Sequence, residues 1–234
     1  MKKRNTILFI VLSVAVVMLF LLDVGTGSVG IPLGDVWRAL LGSDVDPTTV
    51  KIVRDIRLVK ALVAIATGVA LSVSGLLMQT LFRNPLAGPY VLGISSGASL
   101  GVAIFILGAP ILGLAANSMG TAVGIAGAAW VGSALILVVI AAVSRKIKDI
   151  MVILILGMMF SSGVSALVQV LQYLSNEEAL KSFVIWTMGS LGDVTASQLW
   201  LLIPAVVLGL VISIAVIKPL NLLLLGENYA RTMG

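Results

Sequence analysis

The stretch LFRNPLAGPYVLGISSGASLGV, residues 81–102, interrupts an apolar sequence with two prolines, an arginine, an asparagine and a ladder of glycine and serine. Pro85 and Pro89 each lack a backbone N–H donor, and each disfavours helix in the residue before it. The arginine and asparagine ahead of them are costly in hydrocarbon. We therefore predict a turn over residues 82–89 at the inner membrane interface, with a helical span on either side.

The composition of the whole chain supports a membrane protein. Of the 234 residues, 59% are hydrophobic and only 11% are charged, and the mean hydropathy is +1.17. A soluble domain carries roughly 25% charged residues, so this chain has too few charges to cover a surface that faces water. Its apolar windows run for about 16 to 25 residues without strand-like alternation. The predicted fold class is all-α, a polytopic transmembrane helical bundle.

Six apolar segments predict six spans within a single transmembrane domain, residues 1–234. They lie at about 6–22, 60–81, 90–108, 119–143, 150–174 and 198–217. We interpret the first as a retained span, because its apolar run is long for the alternative, a signal peptide, and no clean cleavage site follows. The segment PLGDVWRALLG, 32–42, predicts a short amphipathic helix at the membrane surface. Pro219 is expected to end the sixth span.

The basic residues predict the orientation of these spans. Six spans put both ends on one side, and with both ends inside, nine lysines and arginines lie inside against six outside. An excess of basic residues on the cytoplasmic side is the normal pattern. We therefore expect a multi-pass protein of the cytoplasmic (inner) membrane with both ends cytoplasmic. The basic residues of 51–60 fall on the outer side, opposite to the rule, and need an explanation.

Small residues recur every four positions along three predicted spans. On a helix, this spacing forms a flat stripe that a neighbouring backbone can approach closely, so we predict these residues to be sites of helix packing. The stripes are Gly93, Gly97 and Gly101; Gly120, Gly124, Ala128 and Gly132; and Gly157, Ser161 and Ser165. Gln169 continues the third stripe, and two interpretations of that face stay open: an aqueous path, or an interhelical hydrogen bond.

Catalytic chemistry has little support in this sequence. It contains no cysteine and no histidine, which removes the thiol nucleophile and the commonest general base and metal ligand. We predict no catalytic, cofactor or metal residues. Ser95 and Ser99 each match G-x-S-x-G, but that motif needs a strand–turn–helix setting and a base. An intramembrane hydrolase would lose its activity on Ser95→Ala or Ser99→Ala, and we expect no such activity.

The energy for any transport must come from elsewhere. No P-loop is present, so the chain is not itself an ATPase. No charged residue sits at a clear mid-membrane position, whereas proton- and ion-coupled transporters usually keep one there.

Three segments resemble one known family. They are IRLVKALVAIATGVALSVSGLLMQTLFRNPLAGPYVLGISSGASLG (56–101), FVIWTMGSL (183–191) and LNLLLLGENYARTMG (220–234). They are similar to the R-L-P-R, G-x-x-L-x-x-S-G-x-x-x-Q, R-N-P-L-A and W-x-M-G-S motifs and the coupling segment of FecCD-type permeases. These are membrane subunits of bacterial ABC importers for iron–siderophore complexes, haem and vitamin B12. The family has about ten spans, so the resemblance implies that this chain is a fragment or a truncated product.

The resemblance also implies partners and site residues. Arg57 and Lys60 match positions that face outward and dock an extracytoplasmic substrate-binding protein; interfacial snorkelling is the alternative. Because Val59 and Lys60 depart from the R-L-P-R pattern, the docking geometry differs there. The residues that match the family's cytoplasmic gate are Asn84, Pro85 and Leu86.

The last segment, 225–234, matches the family's cytoplasmic coupling helix, which contacts the ATPase subunit; a frayed amphipathic end is the alternative. The matching residues are Gly226, Glu227, Ala230, Arg231 and Gly234. The implied partners are a cytoplasmic ABC ATPase, the binding protein, a second permease copy and the lipid bilayer, with no nucleic acid. The alternative function is a non-transporting membrane scaffold or sensor subunit, which would not retain a P-loop ATPase.

Overall fold

The computed structural model of this chain describes residues 2–42, 45–108, 122–147, 149–192, 194–226, 230 and 232. Within those ranges the chain is helical and contains no strand, which confirms the predicted all-α class. The helices are α1 (Lys2–Gly25), α2 (Leu33–Leu41), α3 (Pro47–Lys51), α4 (Val59–Phe82), α5 (Ile94–Ile106), α6 (Ala122–Ser144), α7 (Ile150–Leu174), α8 (Glu177–Met188), α9 (Ala196–Ala215) and α10 (Ile217–Leu224). A π-helical segment, Ile52–Leu58, joins α3 to α4 without a break.

Five stretches of the described residues are helices long and apolar enough to cross a membrane. They are Lys3–Gly25, Pro47–Phe82, Val123–Ser144, Met151–Leu174 and Ala196–Ala215. At most 22% of the most apolar window of any of them is buried inside the protein. Helices with so much uncovered apolar surface need a lipid environment. In water, the protein would expose far more apolar area than a soluble protein does.

The third predicted span differs from the helix found there. Helix α5 has 13 residues, which gives it a length of about 20 Å, against roughly 30 Å for the hydrocarbon core of a bilayer. The turn that follows the prolines is longer than predicted: Val91 N–H donates to the Gly88 carbonyl, and Gly93 N–H to that of Tyr90. Gly93, with φ +74°, then caps the helix, so regular helix begins only at Ile94.

The expected role of Pro219 is wrong. The long helix α9 already ends at Ala215, and Pro219 lies in the first turn of the next helix, α10. Proline is tolerated there because the first N–H groups of a helix have no intrahelical acceptor.

The chain divides into two compact units. The first comprises Met1–Val69 and Ser190–Val207. Its core is small and lies where the end of α1, helix α2, the π-helical segment and the start of α4 meet. The buried side chains there are those of Val24, Val36, Ala39, Val53 and Ala61.

The second unit comprises Ala70–Gly189 and Leu208–Gly234, and α5 is its central helix. A Cβ built on Gly97 would lie 2.6 Å from the Gly132 carbonyl oxygen on α6, and one built on Gly101 would overlap the Ala128 carbonyl. Helices α5 and α6 therefore touch backbone to backbone, which only the smallest residues permit.

The remaining glycines of the first two predicted stripes are placed as follows. Gly93 precedes α5 as its cap, and a Cβ there would lie 2.7 Å from the Ser161 hydroxyl on α7. Gly124 lies within α6, and Gly120 falls outside the described residues.

Candidate functional site

Arg57 is a buried structural residue in this fold. Its side chain is 6% exposed, although the sequence comparison predicted an outward-facing guanidinium. Nη1 donates to the backbone carbonyls of Val24 (3.3 Å) and Gly25 (3.1 Å), and Nη2 donates to that of Val29 (2.5 Å). The first two are among the last carbonyls of α1, which have no intrahelical donor, and a cation is favoured at that end of a helix. The expectation that Arg57 presents its charge to a partner carboxylate is therefore wrong.

Arg54 makes the equivalent contact with another helix. Its Nε donates to the Ala39 carbonyl (2.8 Å) and its Nη2 to the Leu40 carbonyl (3.0 Å), both in the last turn of α2. The π-helical segment thus carries two arginines that cap the C-termini of two different helices. Capping explains two of the basic residues that the orientation rule places on the wrong side. The sequence argument missed Arg54, because nothing in its neighbours indicates which carbonyls it will meet.

Lys60 is the exposed member of the predicted docking pair. Its side chain is 48% exposed, and Nζ lies 3.5 Å from Oδ1 of Asp23. An exposed lysine–aspartate pair at this distance contributes little to stability, so Lys60 is free to exchange Asp23 for another carboxylate.

The predicted gate residues lie in the turn that follows α4. The Asn84 side chain accepts a hydrogen bond from the Leu86 N–H (2.9 Å), and the Asn84 carbonyl accepts one from Ala87 (3.0 Å). Pro85 sits between them with a backbone that needs no donor. This closed turn projects the Leu86 side chain outward, where it is 87% exposed. The asparagine therefore shapes the turn, and the leucine is the group that can meet another surface.

Arg83 joins this turn to helix α10. It has φ +47° and closes α4 with bonds from its own N–H to Thr80 and from Asn84 N–H to Gln79, the pattern in which glycine is usual. Its guanidinium donates to the carbonyl of Leu223, in the last turn of α10. The sequence interpretation treated Arg83 only as an interfacial charge and missed this contact.

Of the five residues predicted to couple to the ATPase, Gly226 and Ala230 are described. Gly226 has φ +122°, and the Ala230 N–H donates to its carbonyl (2.9 Å). Glu227, Arg231 and Gly234 lie outside the described residues.

A polar groove of about 280 Å³ opens between α5, α7 and α8 in the second unit. It is lined by Ser95, Ser96, Ser99, Ser165, Val168, Gln169, Gln172, Phe183 and Thr187. The sequence predicted that Ser165 and Gln169 share a face. It did not predict that the α5 serines and Thr187 would meet them, because that depends on how three helices pack.

Ser95 and Ser99 do not form a nucleophile elbow. Both lie in helix α5, and among the described residues Arg83 is the one non-glycine residue with positive φ. The described part of the chain also brings together no group of three or more histidine, cysteine, aspartate or glutamate residues that could hold a metal ion.

Comparison with known proteins identifies the family of this chain. The model of the FecCD transport family matches residues 15–234. The chain belongs to the FecCD transport family. It is 35% identical over 234 residues to the hemin transport system permease HmuU of Yersinia pestis, covering 96% of this chain and 66% of that protein. It is 33% identical over 233 residues to the vitamin B12 import permease BtuC of Salmonella paratyphi A, covering 100% of this chain and 67% of that one.

One further relative and one solved structure are also similar to this chain. The molybdate import permease MolB of Haemophilus influenzae is 31% identical over 218 residues, covering 91% of this chain and 62% of MolB. A solved metal-chelate type ABC transporter in an inward-facing conformation superposes with a TM-score of 0.79 at 29% identity, over 98% of this chain and 68% of that one. The chain thus spans about two thirds of the length of the FecCD relatives it matches.

Proposed function

We propose that this chain forms the membrane permease part of an ABC importer for a metal chelate, such as an iron–siderophore complex, or for a related solute such as haem or cobalamin. The observation that carries the proposal is the FecCD match over residues 15–234, together with relatives that are named as transport or import permeases and that cover 96% and 100% of this chain. The likeness to a solved metal-chelate transporter over 98% of the chain supports it. The protein has no catalytic site of its own in this proposal.

A separate cytoplasmic ATPase supplies the energy, and alternating access is the mechanism. ATP-driven closure of the ATPase moves the segment around Gly226 and Ala230, and Arg83 carries that movement to the turn with Asn84, Pro85 and Leu86. The hydrogen bond from Arg83 to Leu223 supports this order of events, because it joins the turn to the last turn of α10, and the Gly226 N–H donates to the same Leu223 carbonyl. The exposed Leu86 side chain then forms the inner gate with its counterpart in a second permease copy.

Of the two predicted docking residues, Lys60 is the one that contacts the extracytoplasmic binding protein. Its charge is exposed and weakly paired, whereas Arg57 is committed to backbone carbonyls. Arg57 supports docking by holding the end of α1, and hence Asp23, in place. With the short helix α5 counted as a sixth crossing beside the five long helices, both ends of the described segment are cytoplasmic, and the protein is a multi-pass component of the inner membrane.

Co-purification tests the proposal against the alternative of a membrane scaffold or sensor subunit. The intact protein, expressed in its own cell with an affinity tag and extracted in mild detergent, should retain a P-loop ATPase. Ala230→Glu places a charge in the coupling segment and should abolish that retention. The matched control is Ala196→Glu, the same change at an exposed position at the start of α9, on the predicted outer side. If both variants retain the ATPase as well as the unchanged protein does, the coupling assignment is overturned. If the unchanged protein retains no ATPase, the scaffold alternative is favoured.

A further inference from the structure

A narrow crevice lies between the end of α6 and the start of α7, where residues 145–149 join the two helices. Both helices pack against α5 far more than against each other, which leaves this crevice between them. It extends from the last two turns of α6 to the first three turns of α7. The residues that line this α6–α7 crevice are Ile140, Val143, Ser144, Ile153, Leu156 and Phe160.

The lining of the α6–α7 crevice is suited to hydrocarbon. Apart from Ser144, its side chains are apolar, and the Ser144 hydroxyl donates to the Ala141 carbonyl within α6 (3.0 Å). Phe160 lies seven residues beyond Ile153 on the same helix, so the crevice runs for about 10 Å along α7. An elongated apolar crevice between two membrane-spanning helices matches an acyl chain and offers little to a polar solute.

Two basic residues, Arg145 and Lys146, follow directly after the crevice residues of α6. Both are exposed, and the Lys146 N–H donates to the Val143 carbonyl (3.1 Å), which holds this basic pair close to the last turn of the helix. The apolar span ends at Ser144, on the predicted inner side. The basic pair therefore lies where the hydrocarbon core gives way to lipid headgroups.

The charges of the basic pair are unmatched within the described part of the chain. Four arginines earlier in the chain each bind an aspartate or backbone carbonyls: Arg38, Arg54, Arg57 and Arg83. Neither side chain of the basic pair forms an ion pair or a hydrogen bond with a described residue. The one carboxylate of the joining residues, that of Asp149, accepts from the Met151 N–H (2.8 Å) and caps α7.

We propose that the α6–α7 crevice and the basic pair together bind one anionic phospholipid. An acyl chain occupies the crevice, and the headgroup phosphate lies at Arg145 and Lys146. Basic residues beside membrane helices attract anionic headgroups, and the planar guanidinium can donate two parallel hydrogen bonds to one phosphate. The bound lipid joins the ends of two helices that otherwise pack mainly against α5. This inference goes beyond the proposed function and does not depend on which solute is transported.

Native mass spectrometry of the intact protein, with any ATPase that it retains, tests the headgroup contact. The probes are phosphatidylglycerol and phosphatidylethanolamine with the same acyl chains. The unchanged protein should bind phosphatidylglycerol about tenfold more tightly, and the double variant Arg145→Gln with Lys146→Gln should bind both lipids equally. The exposed positions of the basic pair make this variant compatible with folding.

The matched control for the headgroup is the double variant Lys3→Gln with Arg4→Gln. It removes the same two residue types from exposed positions at the start of α1, also on the predicted inner side and outside the crevice. This control should keep the preference for phosphatidylglycerol. An equal loss of preference in the two double variants would show general attraction by positive charge and would overturn the site.

Val143→Phe tests the acyl-chain contact, because the larger ring fills the α6–α7 crevice. Binding of phosphatidylglycerol should weaken about fivefold. Val138→Phe, the same change at an exposed position of α6 outside the crevice, should leave binding unchanged. Equal affinities in these two variants would show that no acyl chain occupies the crevice and would overturn the inference.

Two further results would assign the basic pair to a different occupant. Glycerol 3-phosphate carries a phosphate without acyl chains and should not displace phosphatidylglycerol from the unchanged protein. If it displaces the lipid at equal concentration, the site binds phosphate alone and the inference fails. If the preference for phosphatidylglycerol is seen only after a bound ATPase has been removed, the basic pair contacts the ATPase, and the inference fails as well.

Discussion

The guanidinium of Arg83 donates to the backbone carbonyl of Leu223, which lies 140 residues further along the chain. The arginine occupies a left-handed backbone position where glycine is usual, at a cost of roughly 1–2 kcal/mol. A residue that strains the backbone to place a charged side chain points to a role for that side chain. The contact joins the turn after α4 to the last turn of α10.

The first prediction removes this contact without disturbing the turn. Arg83→Gly relieves the strain at φ +47° and deletes the guanidinium, so α4 should keep its end while α10 loses its partner. Amide exchange at residues 225 and 226, whose N–H groups bond back into α10, should accelerate about fivefold.

Arg83→Lys is the comparison for that experiment, since it keeps the positive charge and loses the planar N–H donors of the guanidinium. The number of solute molecules transported per ATP hydrolysed should fall in Arg83→Gly and fall less in Arg83→Lys. Unchanged exchange at 225 and 226 in Arg83→Gly would contradict the link.

A second prediction concerns the loop that surrounds Arg57. A Cβ on Gly27 would lie 2.8 Å from Nε of Arg57 and 2.9 Å from Cζ, so Gly27→Ala forces the guanidinium away from the α1 carbonyls. We expect a loss of about 1–3 kcal/mol in the free energy of unfolding. Thermal unfolding in detergent measures it.

Gly30→Ala is the matched control, because a Cβ at Gly30 meets nothing within 4 Å. That variant should be neutral or slightly stabilised, since alanine reduces the entropy of the unfolded chain. Equal destabilisation by the two variants would show that the loop, and not the arginine, is sensitive.

The third prediction tests the backbone contact between α5 and α6. A Cβ on Gly132 would overlap the Gly97 carbonyl, whereas one on Gly127, in the same helix, meets nothing within 4 Å. Gly132→Ala should destabilise the protein by about 1–3 kcal/mol through overpacking. Gly127→Ala should stabilise it by about 0.5–1 kcal/mol, because alanine is the better helix former. The denaturation midpoint should fall in Gly132→Ala and rise in Gly127→Ala. A shift in the same direction for both variants would argue against the close contact between α5 and α6.

The fourth prediction addresses docking of the binding protein at Lys60. Lys60→Glu places a second negative charge beside Asp23 and should weaken binding several-fold, more strongly at low ionic strength, since the site is exposed. Surface plasmon resonance at two salt concentrations measures the affinity. Lys181→Glu, an exposed reversal on α8 that is also predicted to lie outside, should have a much smaller effect. A similar loss in both variants would indicate attraction by overall charge, with no local docking at Lys60.

The long helices and the site at Arg57 show what the sequence can and cannot predict. Apolar runs mark α1, α4, α6, α7 and α9, because lipid selects for run length, which is a local property of the chain. The role of Arg57 depends on where the end of α1 arrives in space. The motif identified Arg57 as important, but its burial against carbonyls that precede it by 28 to 33 residues is a tertiary property.

The short helix α5 and the polar groove likewise combine features that the sequence predicts with features that it does not. The prolines predicted the turn, but its extension to Gly93 comes from turn hydrogen bonds that each involve only a few residues and leave no periodic pattern. The period of four in the serines and glutamines predicted polar helix faces. It did not predict that Ser99, Gln172 and Thr187 would line one cavity, since helix packing sets that.

The acceptors of Arg54 and Arg57 are main-chain oxygens, and every amino acid supplies the same one. Positions 24, 25, 29, 39 and 40 are therefore free to drift during evolution as far as this joint is concerned, provided that the chain keeps its course. The two arginines have no such freedom. The joint thus constrains the two donors and not the side chains at the receiving positions, of which Val24 and Ala39 are held instead by their burial in the core. A search for pairwise covariation would therefore overlook the joint.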